Sequence, residues 1–194
     1  QAGLFIDAND QPDGPKIINC TIVDNGNVGL TSSATNGIPE ITNTIIFNNS
    51  MTVDNQDYNV IGPMTILYSL VEGGFSGVGN IDSNPLFVNE ANGNYRLSGF
   101  SPAIGSGTSS GAPATDINGV SRPSPSGSSP DMGAYENSRS APLEQTKYHV
   151  STTGSSSGSG LSSDPMSSIQ DAIDVAEYGD TISIAAGTYI VEVL

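Results

Sequence analysis

A repeat of 24 to 25 residues constrains the fold of this chain more than any other feature. Three segments, IINCTIVDN, ITNTIIFNN and ILYSLVEGG, align residue for residue, and they begin at Ile17, Ile41 and Ile66. A period of this length is typical of solenoids, in which each repeat forms one coil and stacks on its neighbours. The chain is therefore predicted to be built from stacked coils.

The residues within each repeat indicate β-strands. Apolar and polar residues alternate only in part, as expected of short β-branched strands separated by bends, and the repeats lack helical spacing. The 23 Gly and 12 Pro supply corners, and a hydrophobic content of 36% is enough for a thin core. We predict an all-β fold whose parallel strands pair with those of the coils above and below.

The net charge excludes two classes of partner. Five Lys and Arg against 20 Asp and Glu give a formal charge of −15. Nucleic-acid phosphates and anionic membrane surfaces would be repelled, so no nucleic-acid partner is expected. No apolar run approaches the roughly 20 residues of a transmembrane helix, so no membrane insertion is expected. The chain begins at Gln1 without Met, which predicts a processed protein or a piece of a longer one.

Five short phrases follow the repeats in a fixed order: NPLF, NYRL, SPAI, TDINGVSRP and DMGAYE, the last ending at Glu136. In this order they resemble the C-terminal end of right-handed parallel β-helix domains of the pectin-lyase-like type, often catalogued as choice-of-anchor domains. The resemblance implies that the solenoid is right-handed and that residues 80–136 close one end of it. Residues 1–136 are thus expected to form coils followed by a closing segment.

A polar stretch at 137–146 lacks a strand pattern and is predicted to be a linker. The segment after it, 147–194, contains YHVSTTGSSSGSG and SSIQDAIDVAEYGDTISIAAGTY. These phrases resemble the N-terminal opening of the same family, with a first strand, a Ser/Gly-rich loop, a capping helix and a first coil. The order of this chain is therefore permuted, because the closing segment precedes the opening one.

Helical spacing occurs once, near residues 167–177. Apolar residues stand there at i, i+3, i+4 and i+7, with Ser167 or Ser168 as a plausible N-cap and Gly179 placed to stop the helix. One short amphipathic α-helix is predicted, and its apolar stripe (Ile169, Ala172, Ile173 and Ala176) suits a lid over an open solenoid end. Residues 181–184 alternate as a strand.

Two explanations of the permuted order remain open. The chain is either a stretch across the joint of a tandem β-helix array, or a subunit whose C-terminal segment completes a neighbouring copy by stacking on its N-terminal edge. Head-to-tail contacts of this kind propagate into filaments when their symmetry does not close. The residues predicted to form the interface are Ala2, Leu4, Ile6, Ile182, Ile184, Ile190 and Val193.

The predicted function is that of a non-catalytic structural subunit, extracellular or at the cell surface, whose partner is itself. Enzymatic activity is the natural rival, because the resembled fold hosts polysaccharide lyases and glycoside hydrolases, but fold alone does not confer activity. Hydrolases need two carboxylates at a defined separation, and the sequence shows no such catalytic constellation. The alternative is a glycan-binding or adhesin module, or a fragment of a polysaccharide-degrading protein. If the chain is a glycan-binding module, we expect a row of exposed aromatic residues.

Single residues give weaker signals. Asp7, Asp10 and Asp13 form the densest acidic cluster, which is read mainly as a solvated turn and secondarily as a calcium site. Asn48 begins an Asn-Asn-Ser glycosylation pattern at an expected corner, although the pattern is common by chance. The lone Cys20 and the lone His149 are read as structural.

Asn19 and Asn43 occupy the same position in two consecutive repeats. Stacked asparagine side chains hydrogen-bond from one layer to the next, so a structural ladder inside a corner is expected there.

Overall fold

The computed structural model describes residues 3–7, 13–49, 52–53, 56–57, 59–176 and 180–190. The strands in these ranges are β1 (Leu4–Ile6), β2 (Lys16–Ile18), β3 (Thr21–Val23), β4 (Leu30–Ser32), β5 (Glu40–Thr42), β6 (Ile45–Phe47), β7 (Thr52–Val53), β8 (Gln56–Asp57), β9 (Val60–Ile61), β10 (Thr65–Leu67), β11 (Leu70–Val71), β12 (Phe87–Asn89), β13 (Asn94–Leu97), β14 (Lys147–Ser155) and β15 (Thr181–Ile184). The helices in the same ranges are a 3-10 helix, η1 (Glu90–Asn92), and an α-helix, α1 (Ile169–Val175). Neither is long and apolar enough to cross a membrane.

The repeat forms three parallel sheets, as the sequence predicts. Their strand orders are β1-β4-β9, β2-β5-β10 and β3-β6-β11, and equivalent repeat positions lie side by side, as in the pairing of Ile17 with Ile41 and of Ile41 with Ile66. Coil 1 therefore contributes β1–β3, coil 2 contributes β4–β6 and coil 3 contributes β9–β11. The chain is a mostly β, parallel β-helix-like solenoid, and the antiparallel hairpin of β7 and β8 is inserted between β6 and β9.

Two corners per coil are turned by single residues in the left-handed region. At the first corner these are Asn19, Asn43 and Tyr68, with φ of 52°, 53° and 48°. At the second corner they are Asp24, Asn48 and Gly73, with φ of 55°, 51° and 81°. Asn, Asp and Gly tolerate this conformation best, which explains their recurrence one coil apart.

Side chains on the two faces of the strands have different environments. Inward residues such as Ile41, Ile46 and Ile66 pack into one core and are at most 1% exposed. The outward residues Ile45 and Leu70, which we call the outer row, are also fully buried. An apolar outer row of this kind requires a cover, because it would otherwise face water.

Residues 101–142 provide this cover along the side of the stack. Asn19 Nδ2 donates to the Asp131 carbonyl at 2.9 Å, and Asn43 Nδ2 donates to the Thr108 carbonyl at 2.7 Å. A Cβ built on Gly133 would meet Ile45 Cδ1 at 2.8 Å, so the backbone lies directly on the outer row. Residues 80–136 were expected to close an end of the solenoid, but the part from residue 101 onward lies against the first corner, because the outer row is apolar.

Residues 75–82 cover coil 3. Ile81 bridges Leu70 in parallel, Val71 N donates to the Ile81 carbonyl at 2.9 Å, and Tyr68 N donates to the Val78 carbonyl at 2.8 Å. Phe75 packs against the core. Ile66 and Val71 are consequently at most 1% exposed, whereas Val60 on β9 is half-buried.

The chain divides into two compact units. The coil unit contains the solenoid up to residue 85 together with residues 101–142, and the C-terminal unit contains residues 86–100 together with the chain from 143 onward. Within the C-terminal unit β12 and β13 form an antiparallel hairpin, and β14 pairs with β15 in parallel. Its core is formed by Phe100, Tyr148, Val150, Met166 and Ala172.

The predicted helix is present as α1. The Ser168 side chain accepts a hydrogen bond from Asp171 N at 3.2 Å, so Ser168 is the N-cap, whereas Gly179 lies outside the described residues. Ala172 is fully buried, but Ile173 is 51% exposed. The buried stripe of this two-turn helix therefore excludes one of the four residues assigned to it, and Val175 packs against the core.

Candidate assembly surfaces

One side of the coil unit has strand edges without a described partner. β1, β2 and β3 each pair on one side only, with β4, β5 and β6 respectively. Among the residues that the structure describes, no strand lies on the other side of coil 1. The backbone groups along such an edge are available to pair with an added parallel strand.

Exposure of the inward side chains follows the same asymmetry. Leu4 and Leu30 are register partners, yet Leu4 is 37% exposed and Leu30 is fully buried. Ile17 is half-buried, whereas its partner Ile41 is fully buried. Both differences have one cause, which is that coil 1 is covered by the next coil on one side only. We call the edges of β1–β3 with these side chains the open edge.

The C-terminal unit is also covered on one side. Beyond β14 lie Gly160, whose carbonyl accepts a hydrogen bond from His149 N at 2.7 Å, and Met166, which bridges Val150. Helix α1 packs on the same sheet, with Ala172 buried in the core. On the far side of β15 no described strand is present.

Uncovered apolar side chains accompany the free side of β15. Ile184 is the register partner of Val150, and it is 48% exposed while Val150 is 1% exposed. Ile190, a little further along the chain, is 95% exposed. We call the free side of β15 with Ile184 and Ile190 the donor edge.

The open edge and the donor edge lie on opposite sides of a coil with respect to the direction of the chain. Coils follow one another along the chain, so the open edge is the side on which an earlier coil would stack, and the donor edge is the side on which a later coil would stack. Parallel strands continue a β-helix only in this order.

The structure locates five of the seven predicted interface residues. Leu4 lies uncovered on the open edge, Ile184 and Ile190 lie on the donor edge, and Ile6 is 8% exposed within the core. Ile182 is half-buried against the core of the C-terminal unit. Ala2 and Val193 lie outside the described residues.

The acidic residues considered for calcium are not brought together by the described part of the chain. Asp7 and Asp13 are both exposed, and Asp10 lies outside the described residues. Within the described ranges no group of three or more His, Cys, Asp or Glu side chains is arranged to hold a metal ion. Calcium binding stays a prediction from the sequence.

Asn48 and Asn19, which begins an Asn-Cys-Thr match to the same glycosylation pattern, differ in environment. Asn48 is exposed at the second corner, where its Nδ2 donates to Asp24 Oδ1 at 2.7 Å. Asn19 is buried and hydrogen-bonded to residues 131 and 133, so it offers no access for a glycan. The Asn19–Asn43 ladder is present, since Asn43 Nδ2 donates to Asn19 Oδ1 at 3.2 Å. Modification of Asn48 stays a prediction.

A buried charged cluster was missed by sequence reasoning. Arg122 Nη1 lies 3.0 Å from Glu136 Oε2, and both side chains are at most 1% exposed. The same guanidinium donates to the carbonyls of residues 131 and 133. Asp131 and Asp116 are buried beside it. The phrases TDINGVSRP and DMGAYE supply all four charged residues. The occurrence of these charges in two neighbouring phrases was the sequence signal that could have predicted the cluster.

Backbone N–H groups satisfy the carboxylates of this cluster. Asp131 accepts from Gly105 N at 2.7 Å and from Asn137 N at 2.6 Å. Glu136 accepts from Ser124 N at 2.9 Å, and Asp116 accepts from Glu136 N at 3.0 Å. Because each carboxylate holds a loop of the 101–142 segment, the cluster acts as a structural clamp.

Burial raises the pKa of Asp131 to about 7, against the lowering effect of its two N–H donors and of Arg122. Burial also raises the pKa of Glu136. At Asp116 burial acts in the same direction, but the backbone N–H donors of Glu136, Val120 and Asn118, together with Arg122, lower the pKa overall. Burial therefore moves the titration of Asp131 and Glu136 to a higher pH than in the unfolded chain.

We expect the free energy of unfolding to fall as the pH rises from 5 to 8. An unfolded Asp titrates near pH 4, so Asp131 stabilises the fold in acid and loses this contribution as the pH rises through its folded pKa of about 7. The expected loss is about 2 kcal/mol. Asp116, whose pKa is lowered, is ionised in both states over this range and contributes no slope.

Urea unfolding at several pH values measures this slope. In Asp131→Asn the slope should be smaller, while the repulsion from the net charge of the chain is almost unchanged. Equal slopes in the variant and the wild type would show that Asp131 does not hold the proton.

The two residues read as structural lie inside the fold. Cys20 is half-buried at the first corner, burial raises its pKa, and its Sγ donates to the Ile18 carbonyl. His149 is half-buried on β14, as the sequence predicts, with its backbone in the sheet. Neither side chain has a described acidic or basic partner that would form a nucleophile and base pair.

Comparison with known proteins gives no relative, since the chain matches no family model, no curated protein and no solved structure. The parallel β-helix-like repeat is therefore established from the pairing of this chain's own strands.

Proposed function

We propose that this chain is a non-catalytic structural unit that assembles head to tail, with the donor edge of one copy stacked on the open edge of the next. The product is a filament or a tandem array at the cell surface or outside the cell. The sequence resemblance to pectin-lyase-like β-helices and the charge of −15 support an extracellular protein with no nucleic-acid partner.

The observation that carries the proposal is the opposite polarity of the two uncovered edges. Residues 75–82 cover β10 and β11 of coil 3, and residues 160–167 with α1 cover β14, whereas among the described strands β9 pairs with β4 only. The open edge is the edge on which an earlier coil would stack, and the donor edge is the edge on which a later coil would stack. Stacking them buries apolar side chains such as Leu4 and Ile184 and pairs backbone groups along the edge.

The environment of the acidic residues supports a non-catalytic role. Glu136 and Asp131 are two neighbouring carboxylates, but both side chains are buried. They accept hydrogen bonds from backbone N–H groups, and Glu136 pairs with Arg122. A glycosidase needs two carboxylates on either side of an accessible sugar. This pair instead holds the polypeptide segments that cover the outer row.

Glycan binding has less support than assembly. It predicts a row of exposed aromatic side chains, and among the described residues Phe5, 60% exposed, is the single aromatic that is mostly uncovered. Phe5 lies on β1, at the open edge. The assembly proposal therefore also accounts for this residue.

The substitution Leu4→Lys tests the open edge. We expect the wild type to form fibres or concentration-dependent oligomers, seen by electron microscopy and light scattering, and Leu4→Lys to suppress them, because the new charge would be buried on stacking. Ile38→Lys is the matched control, since Ile38 is 44% exposed and lies outside the strands of the open edge. Monomeric wild type at high concentration, or equal assembly of both variants, would overturn the proposal.

A further inference from the structure

Two hydrogen-bond ladders run along the corners of the coils, and both have the same direction. At the second corner Asn25 N donates to Asn49 Oδ1 at 3.2 Å, and Asn49 N donates to Asn59 Oδ1 at 3.1 Å. At the first corner Cys20 N donates to Thr44 Oγ1, Thr44 N to Ser69 Oγ, and Ser69 N to Asn80 Oδ1, at 3.0 to 3.3 Å. In every step between coils the backbone N–H of one coil is accepted by a side chain of the next coil, and the last N–H of the first-corner ladder is accepted by Asn80 of the segment that covers coil 3.

The corner backbone explains this direction. The residue before each donating ladder position, for example Asp24 before Asn25 and Asn48 before Asn49, has a left-handed conformation. That conformation turns the following N–H out of the strand and along the stack. The N–H cannot pair within its own coil, so a side-chain acceptor from the next coil satisfies it.

Each ladder therefore ends at the open edge with an acceptor and no donor. At the second corner this acceptor is Asn25 Oδ1. The Asn25 Nδ2 group donates to Asn49 Oδ1 at 2.9 Å and to the Val23 carbonyl at 3.2 Å, but within the described residues no donor reaches Asn25 Oδ1. At the first corner the corresponding group is Cys20 Sγ, which is a weak acceptor.

The surroundings of Asn25 repeat those of an occupied ladder position. A Cβ built on Gly3 would lie 2.5 Å from Asn25 Nδ2, and a Cβ built on Gly29 would lie 2.5 Å from Asn49 Nδ2. Glycine thus leaves room for the asparagine side chain at both levels. Since Asn49 Oδ1 accepts the N–H of the preceding coil, Asn25 Oδ1 is built to accept the N–H of a coil stacked before coil 1.

We propose that Asn25 is the residue that sets the register of assembly, by accepting a backbone N–H from the donor-edge coil of a second copy of this chain. This inference rests on the proposed function, because the occupant is the C-terminal unit. The sequence from residue 138 onward contains no asparagine, so the incoming copy contributes a backbone N–H and not a ladder side chain. Apolar contacts at Leu4 and Ile184 are non-directional, whereas a hydrogen bond at a corner selects one alignment of the strands.

A pair of variants separates the acceptor from the internal role of Asn25. Both Asn25→Asp and Asn25→Leu remove the Nδ2 donor that bonds to residues 23 and 49, and in Asn25→Asp a carboxylate oxygen also faces these two acceptors, so its unfolding temperature should fall at least as far as that of Asn25→Leu. Asp keeps the oxygen acceptor, and Leu removes it at similar volume. We expect the critical concentration for assembly, measured by light scattering of the full chain, to be about five- to tenfold higher for Asn25→Leu than for Asn25→Asp.

The outcomes are distinguishable. If the wild type assembles and the two variants have equal critical concentrations, the register role of Asn25 is overturned while head-to-tail assembly stands. If the wild type does not assemble, both proposals are overturned. A higher critical concentration for Asn25→Leu, although Asn25→Asp unfolds at the same or a lower temperature, supports the inference.

Discussion

The substitution Ile184→Lys is expected to abolish end-to-end assembly of the chain. Ile184 is 48% exposed on the donor edge, where its register partner Val150 is 1% exposed. Stacking would enclose residue 184 as the next coil encloses Val150, and an enclosed ammonium group without a partner costs several kcal/mol. At 1.4 kcal/mol per tenfold, the critical concentration should rise by about 100-fold or more.

Ile173→Lys is the control for this prediction. Ile173 is 51% exposed in the same unit, but it lies on α1 and not on β15. It adds the same charge and removes a similar apolar side chain, so assembly should be close to that of the wild type. If the two variants were equally impaired, charge and solubility would explain the loss, and the donor edge would not.

Mixing edge variants gives a stricter test of direction. Ile184→Lys retains a functional open edge, and Leu4→Lys retains a functional donor edge. Each alone should be monomeric, and a one-to-one mixture should form a dimer that grows no further. Long polymers in the mixture would contradict the head-to-tail arrangement, since they would require a second kind of contact.

The substitution Arg122→Met is expected to destabilise the coil unit by about 3–5 kcal/mol. It removes the only described cation that contacts the clamp and leaves Glu136, Asp131 and Asp116 buried without a counter-charge. It also removes the donors to the carbonyls of residues 131 and 133. Thermal and urea unfolding would measure the loss.

Lys16→Met is the matched control for Arg122→Met. Lys16 pairs with Glu40 at 3.3 Å, but the side chains are 63% and 44% exposed, so their pairing is worth about 0–1 kcal/mol. The double substitution Arg122→Met and Glu136→Gln should recover part of the loss, because it removes one of the unpaired charges. Equal effects of Arg122→Met and Lys16→Met would show that the clamp does not hold the closing segment.

The sequence predicted the coils well because their information is local. Ile17, Ile41 and Ile66 recur at the spacing of one coil, and the structure pairs them side by side. The corner residues Asn19 and Asn43 were identifiable for the same reason, since a left-handed conformation favours asparagine. The strand at 181–184 and the helix near residues 167–177 follow local patterns as well.

The environment of single side chains was harder to predict. Ile173 fits the helical stripe, yet α1 is only two turns long and leaves it exposed. Asn25 and Asn49 look alike in the sequence, but Asn49 has a coil on each side and Asn25 has one. The difference depends on where the stack ends, which no local pattern records.

The sequence itself determines the repeat period, the left-handed corner residues and the strand-forming residues. Each of these depends on dihedral preference and side-chain alternation within one coil. Tertiary structure alone decided three further features. It placed residues 101–142 against the apolar outer row, assembled Arg122, Asp131 and Glu136 into a buried clamp, and left coil 1 and β15 uncovered on sides of opposite polarity. These features depend on contacts between residues that are far apart in the sequence, such as Asn19 and Asp131, which are 112 positions apart. Only packing determines which of these contacts form.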